Sequence, residues 1–329
     1  MGINVSVGAV LAIVVVAFLG GQVKGTQYIF GVLLPYAAFA TFLVGFVVRV
    51  LDWGRSPVPF RIPTTTGQQF TLPWIKSSKL DNPHTLLGVL GRMALEVFLF
   101  RSLFRNTKAE LRSGDLRYGP TKWLWLFAIL FHYSFLIIAV RHFRLFMDPI
   151  PACIQMIETV DGMLQVGAPS IYLTDVFLIL GVSFLFARRL MDPKVRAISL
   201  PADYFPLLLI LGIGITGILM RFFIRTDIVA VKQLVVGLAT FSPVVPDGIG
   251  VIFFVHVALV STLLIYFPFS KLMHMGGIFL SPTRNLVNNN RMVRHVNPWN
   301  YPVKVHTYEA YENEFRDIMK DAGIPVERE

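Results

Sequence analysis

Six apolar runs constrain this chain more than any other feature. Residues 5–21, 28–51, 123–147, 171–190, 204–224 and 248–275 are each dominated by aliphatic and aromatic side chains. About 20 apolar residues in a helix cross the ~30 Å hydrocarbon core of a bilayer. Inside lipid only helices or closed barrels satisfy the backbone, and runs this long exclude a barrel. The chain is 54% apolar and 15% charged, with mean hydropathy +0.62, which excludes a soluble domain of 329 residues. The expected class is therefore all-α: a polytopic bundle of six transmembrane helices with amphipathic helices at its surface. The net charge of +10 does not imply nucleic acid, because Lys and Arg gather in loops, as the positive-inside rule requires. The single cysteine, Cys153, allows no internal disulfide and no cysteine-ligated iron–sulfur cluster. The first run lacks a charged leader and a convincing cleavage site, so it reads as retained.

The runs divide the chain into four parts. Residues 1–51 read as a transmembrane hairpin turning at 22–27. Residues 52–120 form a basic loop: between 49 and 122 there are twelve Lys or Arg against five Asp or Glu, a cytoplasmic signature. Proline, threonine and glycine make 56–73 irregular. Within the loop, Leu86, Leu90, Met93, Val97 and Phe104 recur at helical spacing. Residues 84–105 thus read as an amphipathic helix at the inner surface, with Arg92 and Glu96 paired one turn apart. Residues 121–280 hold four of the six runs, and 281–329 form a polar tail with a short helix near 308–320. Residues 148–170 lack Lys and Arg and read as an outer loop; 228–241 is too short to cross and reads as lying at the outer surface. Six crossings put both termini in the cytoplasm of a cell bounded by this cytoplasmic (inner) membrane.

The run WLWLFAILFHYSFLIIAVRHFRLFM carries His132 and His142, and residues 248–275 carry His256 and His274. Ionisable side chains at membrane depth point to function. The two members of the first pair are separated by about 15 Å of helical rise, those of the second by about 27 Å. The two helices run in opposite directions, so His132 meets His274 near the cytoplasmic side and His142 meets His256 near the outer side. Two imidazoles complete an octahedral haem iron with no open position, which suits electron transfer. We read the four as axial ligands of two b-type haems. The unequal spacings require a kink, expected at Pro268, which removes a backbone hydrogen bond. His84, His295 and His306 lie in polar cytoplasmic segments and read as satisfying local backbone groups.

Arg141, Arg144, Arg221 and Arg225 sit at outer helix ends, against the positive-inside rule. They read as partners of haem propionates or of a quinone, with snorkelling to lipid phosphate as the alternative. Asp175 either caps its helix or belongs to a proton or quinol site. Glu158 and Lys232 are weaker candidates for the quinone region; with Asp161 they otherwise read as solvated faces.

HYSFLIIAVRHF, RRLMDPKVRAISLPAD and YFPFSKLMHMGG resemble the gamma (cytochrome b) subunit of respiratory nitrate reductase over residues 121–285. The amino-terminal hairpin, the basic loop and the continuation GGIFLSPTRN with NNNRMVRHVNPWN resemble the DsrM family, dihaem membrane subunits of the transmembrane complex serving dissimilatory sulfite reductase. The resemblance implies a menaquinone/menaquinol-reactive cytochrome b, a cytoplasmic iron–sulfur partner resembling heterodisulfide reductase (DsrK-like), and further membrane and periplasmic subunits. The nitrate reductase subunit uses a lysine at its quinol site; no lysine occurs here from 123 to 193, so its quinone contacts do not transfer. The alternatives are a gamma subunit of a nitrate or heterodisulfide reductase, or a haem-free membrane anchor or transporter.

Overall fold

The computed structural model describes residues 2–56, 58, 61–62, 67–105, 108–291 and 306–327. His295 and residues 292–300 of the tail motif lie outside them, as do 63–66. The described residues are overwhelmingly helical, as expected. Helix α1 (Gly2–Gln22) gives way at Val23 to α2 (Lys24–Gly54), which passes through a π-helical turn at Ile29–Leu33. A single non-helical residue thus replaces the six-residue turn expected at 22–27. The order continues α3 (Leu86–Leu99), β1 (Lys108–Arg112), β2 (Asp115–Gly119), α4 (Lys122–Leu145), α5 (Ala152–Met163), α6 (Leu173–Met191), α7 (Pro201–Ile224), α8 (Ile228–Ala239), α9 (Val251–Phe269), α10 (His274–Leu280) and α11 (Tyr308–Asp321).

The β1–β2 hairpin was not expected. Ser113 and Gly114 both have positive φ, 52° and 88°, and close the antiparallel pair Arg112–Asp115. Two positive φ values give the turn whose twist matches paired strands, and a Ser-Gly dipeptide is its sequence signal.

Helices α1, α2, α4, α7 and α9 are long and apolar enough to cross a bilayer. The sixth expected span is α6, a 19-residue leg that carries Asp175 at one end and Arg188 and Arg189 at the other. It packs between α4 and α7. Its closest approach to α4 is at Gly181, where a Cβ would come within 2.9 Å of Phe131 Cβ and 3.1 Å of the Phe127 carbonyl. Small residues permit this backbone proximity, the usual device where apolar lipid supplies no drive for helices to associate. The legs of the amino-terminal hairpin separate: α1 packs against α7 and α9, while α2 packs against α9. Ala17, Leu178, Val182, Leu209 and Leu259 form the shared core. Leu19, Val44 and Leu136 face outward, fully in keeping with a lipid-facing surface.

Two breaks position the histidines. The α-helical part of α9 ends at Tyr266, a 3-10 turn covers Phe267–Phe269, and Ser270 is extended (φ −122°, ψ 177°) before a second 3-10 turn at Lys271–Met273. The expected kink at Pro268 is a full interruption, and His274 opens a separate helix. The rise of one straight rod therefore does not apply between His256 and His274. Beside α4, helix α3 follows Thr85, whose side chain accepts the Gly88 N–H at 3.2 Å, and ends at Phe100 in the left-handed region, where the Phe100 ring meets His132 edge-on at 5.0 Å. Arg92 and Glu96 pair at 3.7 Å on its buried face.

Candidate functional site

Helix α4 meets α9 and α10 through imidazoles. His132 and His274 have ring centroids 6.1 Å apart and planes at 78°; His142 and His256 lie 6.4 Å apart with planes at 9°. Every one of the four rings has Nδ1 engaged. Nδ1 of His132 donates to the Ala128 carbonyl at 2.7 Å, that of His142 to the Ile138 carbonyl at 2.7 Å, and that of His274 to the Lys271 carbonyl at 2.8 Å. His256 Nδ1 lies 2.8 Å from Thr216 Oγ1, which is also 2.8 Å from the Gly212 carbonyl and accepts from Nδ1 when it donates there. A carbonyl only accepts, so for His132, His142 and His274 these bonds fix the Nδ1–H tautomer and leave Nε2 as the free donor atom. Local hydrogen bonding and ligation are thus served by different nitrogens of the same ring, the arrangement usual in metal-binding histidines.

Two facing imidazoles with ring centres 6.1 and 6.4 Å apart are a donor set of the chemistry a haem iron takes. Among the described residues no group of three or more His, Cys, Asp or Glu could hold an ion.

His274 is steadied from below. The Lys271 ammonium pairs with Asp203 at 2.7 Å, and Asp203 also accepts the Leu200 N–H at 3.0 Å at the start of α7. The carbonyl holding His274 therefore belongs to a residue anchored on another helix.

A charged cluster surrounds the His142–His256 end. Arg141 is buried, within 2.7 Å of Asp161 and 3.0 Å of Asp175, and its guanidinium lies 4.6 Å from the Tyr172 ring centre. Its Nη1 contact with Asp161 is an ion pair without hydrogen-bond alignment, and its Nε has no partner. Arg144 pairs with Glu158; Arg221 reaches Glu158 at 3.8 Å and stacks on Tyr172 at 4.3 Å. Arg221 lies in a π-helical turn at Leu219–Ile224, a local widening common at functional sites. Lys232 pairs with Asp148 at 3.2 Å. Arg225 is exposed, with left-handed backbone and no ion pair among the described residues.

Three expectations change here. Asp175 caps nothing: Tyr172 holds the cap position and Asp175, one turn in, turns to Arg141. Asp161 is buried, bonded to Thr174 at 2.8 Å, because α5 folds its acidic face onto α4. Glu158 likewise meets Arg144 and Arg221 rather than solvent. Tyr172, Thr174 and Thr216 escaped the sequence reading; Thr216 is a lone hydroxyl in GIGITGIL, the only signal it offers.

Residues 84–296 match the nitrate reductase gamma subunit family. The chain is 46% identical over 278 residues to a protein of Archaeoglobus fulgidus named Hdr-like menaquinol oxidoreductase cytochrome b-like subunit, covering 82% of this chain and 83% of that one. It is 42% identical over 273 residues to the protein of the same name from Archaeoglobus profundus, covering 81% of each. The chain belongs to the nitrate reductase gamma subunit family.

Proposed function

We propose that the chain is a DsrM-like membrane cytochrome b of an oxidoreductase complex. It exchanges electrons between the menaquinone pool at the outer side and a cytoplasmic iron–sulfur subunit linked to dissimilatory sulfur metabolism. The reading rests on one observation above others: two imidazole pairs at 6.1 and 6.4 Å with every Nδ1 committed elsewhere. A b-type haem bound there would supply reversible one-electron transfer. His132 and His274 would hold the inner group, His142 and His256 the outer one. Their separation along α4 is about 15 Å, so together they connect the two faces.

The excess of Lys and Arg between 49 and 122 supports a cytoplasmic Lys122 end. The relatives' names support menaquinol as the donor. Its oxidation releases two protons, and the Arg144 end offers groups to receive and orient them. Arg141 Nε is a buried donor without a partner at that end, suited to a quinol oxygen or a haem carboxylate. Asp175 and Glu158 are carboxylates beside it, and Arg144, Arg221, Arg225 and Lys232 set a positive field. The basic loop and the tail form the docking face for a cytoplasmic partner.

Pyridine haemochrome assay of the purified chain tests this directly. Two protohaems per chain are expected, with a reduced α-band of b type. A chain that folds and shows no such band is a haem-free anchor, and the proposal is wrong.

A further inference from the structure

We propose that α5 lies in the plane of the membrane at the Arg144 end, with Cys153, Met156, Val160 and Met163 against lipid acyl chains. The inference does not depend on the cofactor assignment. A helix between bundle and water turns its apolar stripe inward and its charges outward. On α5 the charges face inward instead: beside buried Ile154 and half-buried Ile157, Glu158 and Asp161 point to Arg144 and Arg141, and the outward face carries no charge, only Gln155 and Thr159 among apolar side chains. Met156 is 63% exposed, Val160 55% and Met163 77%. The adjoining turn continues the same surface with exposed Phe143 and Phe146.

The level of α5 along the bundle decides what covers this face. Its carboxylates fix it beside Arg141 and Arg144. At the opposite end α3 is inverted in the same way: Arg92 and Glu96 are buried while Leu87, Leu90 and Phe98 are exposed. α3 is fixed beside Trp125, whose Nε1 donates to the Leu99 carbonyl at 2.7 Å, and Tyr133, whose hydroxyl donates to the Phe98 carbonyl at 2.9 Å. Sixteen residues separate Trp125 from Arg141, about 24 Å of helix, less than the ~30 Å hydrocarbon thickness. Helices held at those two levels both border the acyl region, where an apolar face is solvated by lipid and inward carboxylates escape it. A soluble partner docking from the water would meet the ends of the bundle, outside this interval.

The native cysteine supplies a probe without any substitution. Nitroxide is attached to Cys153 of the full chain in phosphatidylethanolamine–phosphatidylglycerol vesicles, and to Met156→Cys and Ser170→Cys in a Cys153→Ser background. Collision rates with oxygen and with a water-soluble nickel chelate are compared. The oxygen-to-nickel ratio should be several-fold higher at positions 153 and 156 than at the loop position 170. A ratio at 153 equal to that at 170 overturns the proposal. So does nickel access at 153 that disappears only when partner subunits are added, which would make this face a protein interface.

Discussion

Thr216 on α7 places its hydroxyl oxygen 2.8 Å from Nδ1 of His256 on α9. The other three histidines use carbonyls of their own local chain for the same purpose. His256 alone depends on a side chain from a different helix, so its orientation can be tested without touching a proposed ligand. Thr216→Val should weaken haem retention at the outer site by roughly 10–100-fold, the usual effect of losing a histidine's outer partner. It should leave the inner haem in place, and Thr216→Ser should restore the loss. Haem-to-protein ratios after dilution, with redox titration of what remains, provide the measurement. Equal loss of both haems would show that Thr216 serves folding instead.

His142→Ala should halve the haem content and spare the His132–His274 haem; His132→Ala should do the converse. The pairs share α4 but meet different helices, α9 through His256 and α10 through His274, at levels about 15 Å apart along α4. Reduced-minus-oxidised spectra of the two variants should sum to the wild-type α-band. If neither variant loses haem, the ligand assignment fails.

The pairing was legible from the sequence because it needs only helix direction and residue order. His132 must meet His274 if two antiparallel helices are to share their ends, whatever the detailed path. The interruption at Phe267–Ser270 was visible only as a proline: Pro268 announces a lost hydrogen bond, but Ser270 in extended conformation is decided by Lys271 reaching Asp203. The partners of Arg141 were hidden for a related reason. Asp161 and Asp175 lie 20 and 34 positions away, and sequence places them in a loop and at a helix start. What brings them together is α5 turning its acidic face inward, which inverts the ordinary reading of an amphipathic segment. The Ser113–Gly114 hairpin, by contrast, carried a readable turn signal within a stretch judged by charge alone.

Lys271 and Asp203 should act on the inner haem at a distance. Their 2.7 Å pair holds the 3-10 turn whose carbonyl accepts from His274. Lys271→Met removes the tether and leaves Asp203 facing Arg189, 3.8 Å away. The expected outcome is a shifted midpoint and faster haem loss at the inner site, with outer-site spectra unchanged. Asp203→Asn should give the milder form of the same change, since an amide still accepts the Leu200 N–H. Potentiometric titration monitored at the α-band separates the two sites.

The clasp beside α3 should open in acid. Burial pushes the Asp81 carboxyl up, but hydrogen bonds from Arg101 and Ser78, with the charges of Arg101 and Arg105, more than offset this and leave it below the usual carboxylate value. A carboxylate depressed in the folded state contributes stability that is complete above its unfolded value of about 3.9 and fades as pH falls through the folded value. Protection of the Leu86–Leu99 amides, taken against their intrinsic exchange rates at each pH, should therefore fall below about pH 4. In Asp81→Asn the exchange should be faster at neutral pH and lose that acid step. An acid step that persists in the variant would assign the titration to another group.

Arg141 should prove to be needed for more than folding. Removing one member of a buried ionic group leaves its partners unpaired, at a cost of about 3–5 kcal/mol, whereas replacing the whole group by neutral side chains is close to neutral. Arg141→Leu alone should therefore lower thermal stability in detergent sharply, because Asp161 and Asp175 remain buried without their cation. Adding Asp161→Asn and Asp175→Asn should recover most of that stability. If the cluster orients quinol and receives its protons, the stabilised triple variant should still fail to oxidise menaquinol analogues while binding two haems. Arg141→Lys should also fail, since a point charge cannot engage two carboxylates and a substrate oxygen in one plane. A triple variant that is both stable and active would place quinol oxidation elsewhere and reduce the Arg141 cluster to a strut between α4, α5 and α6.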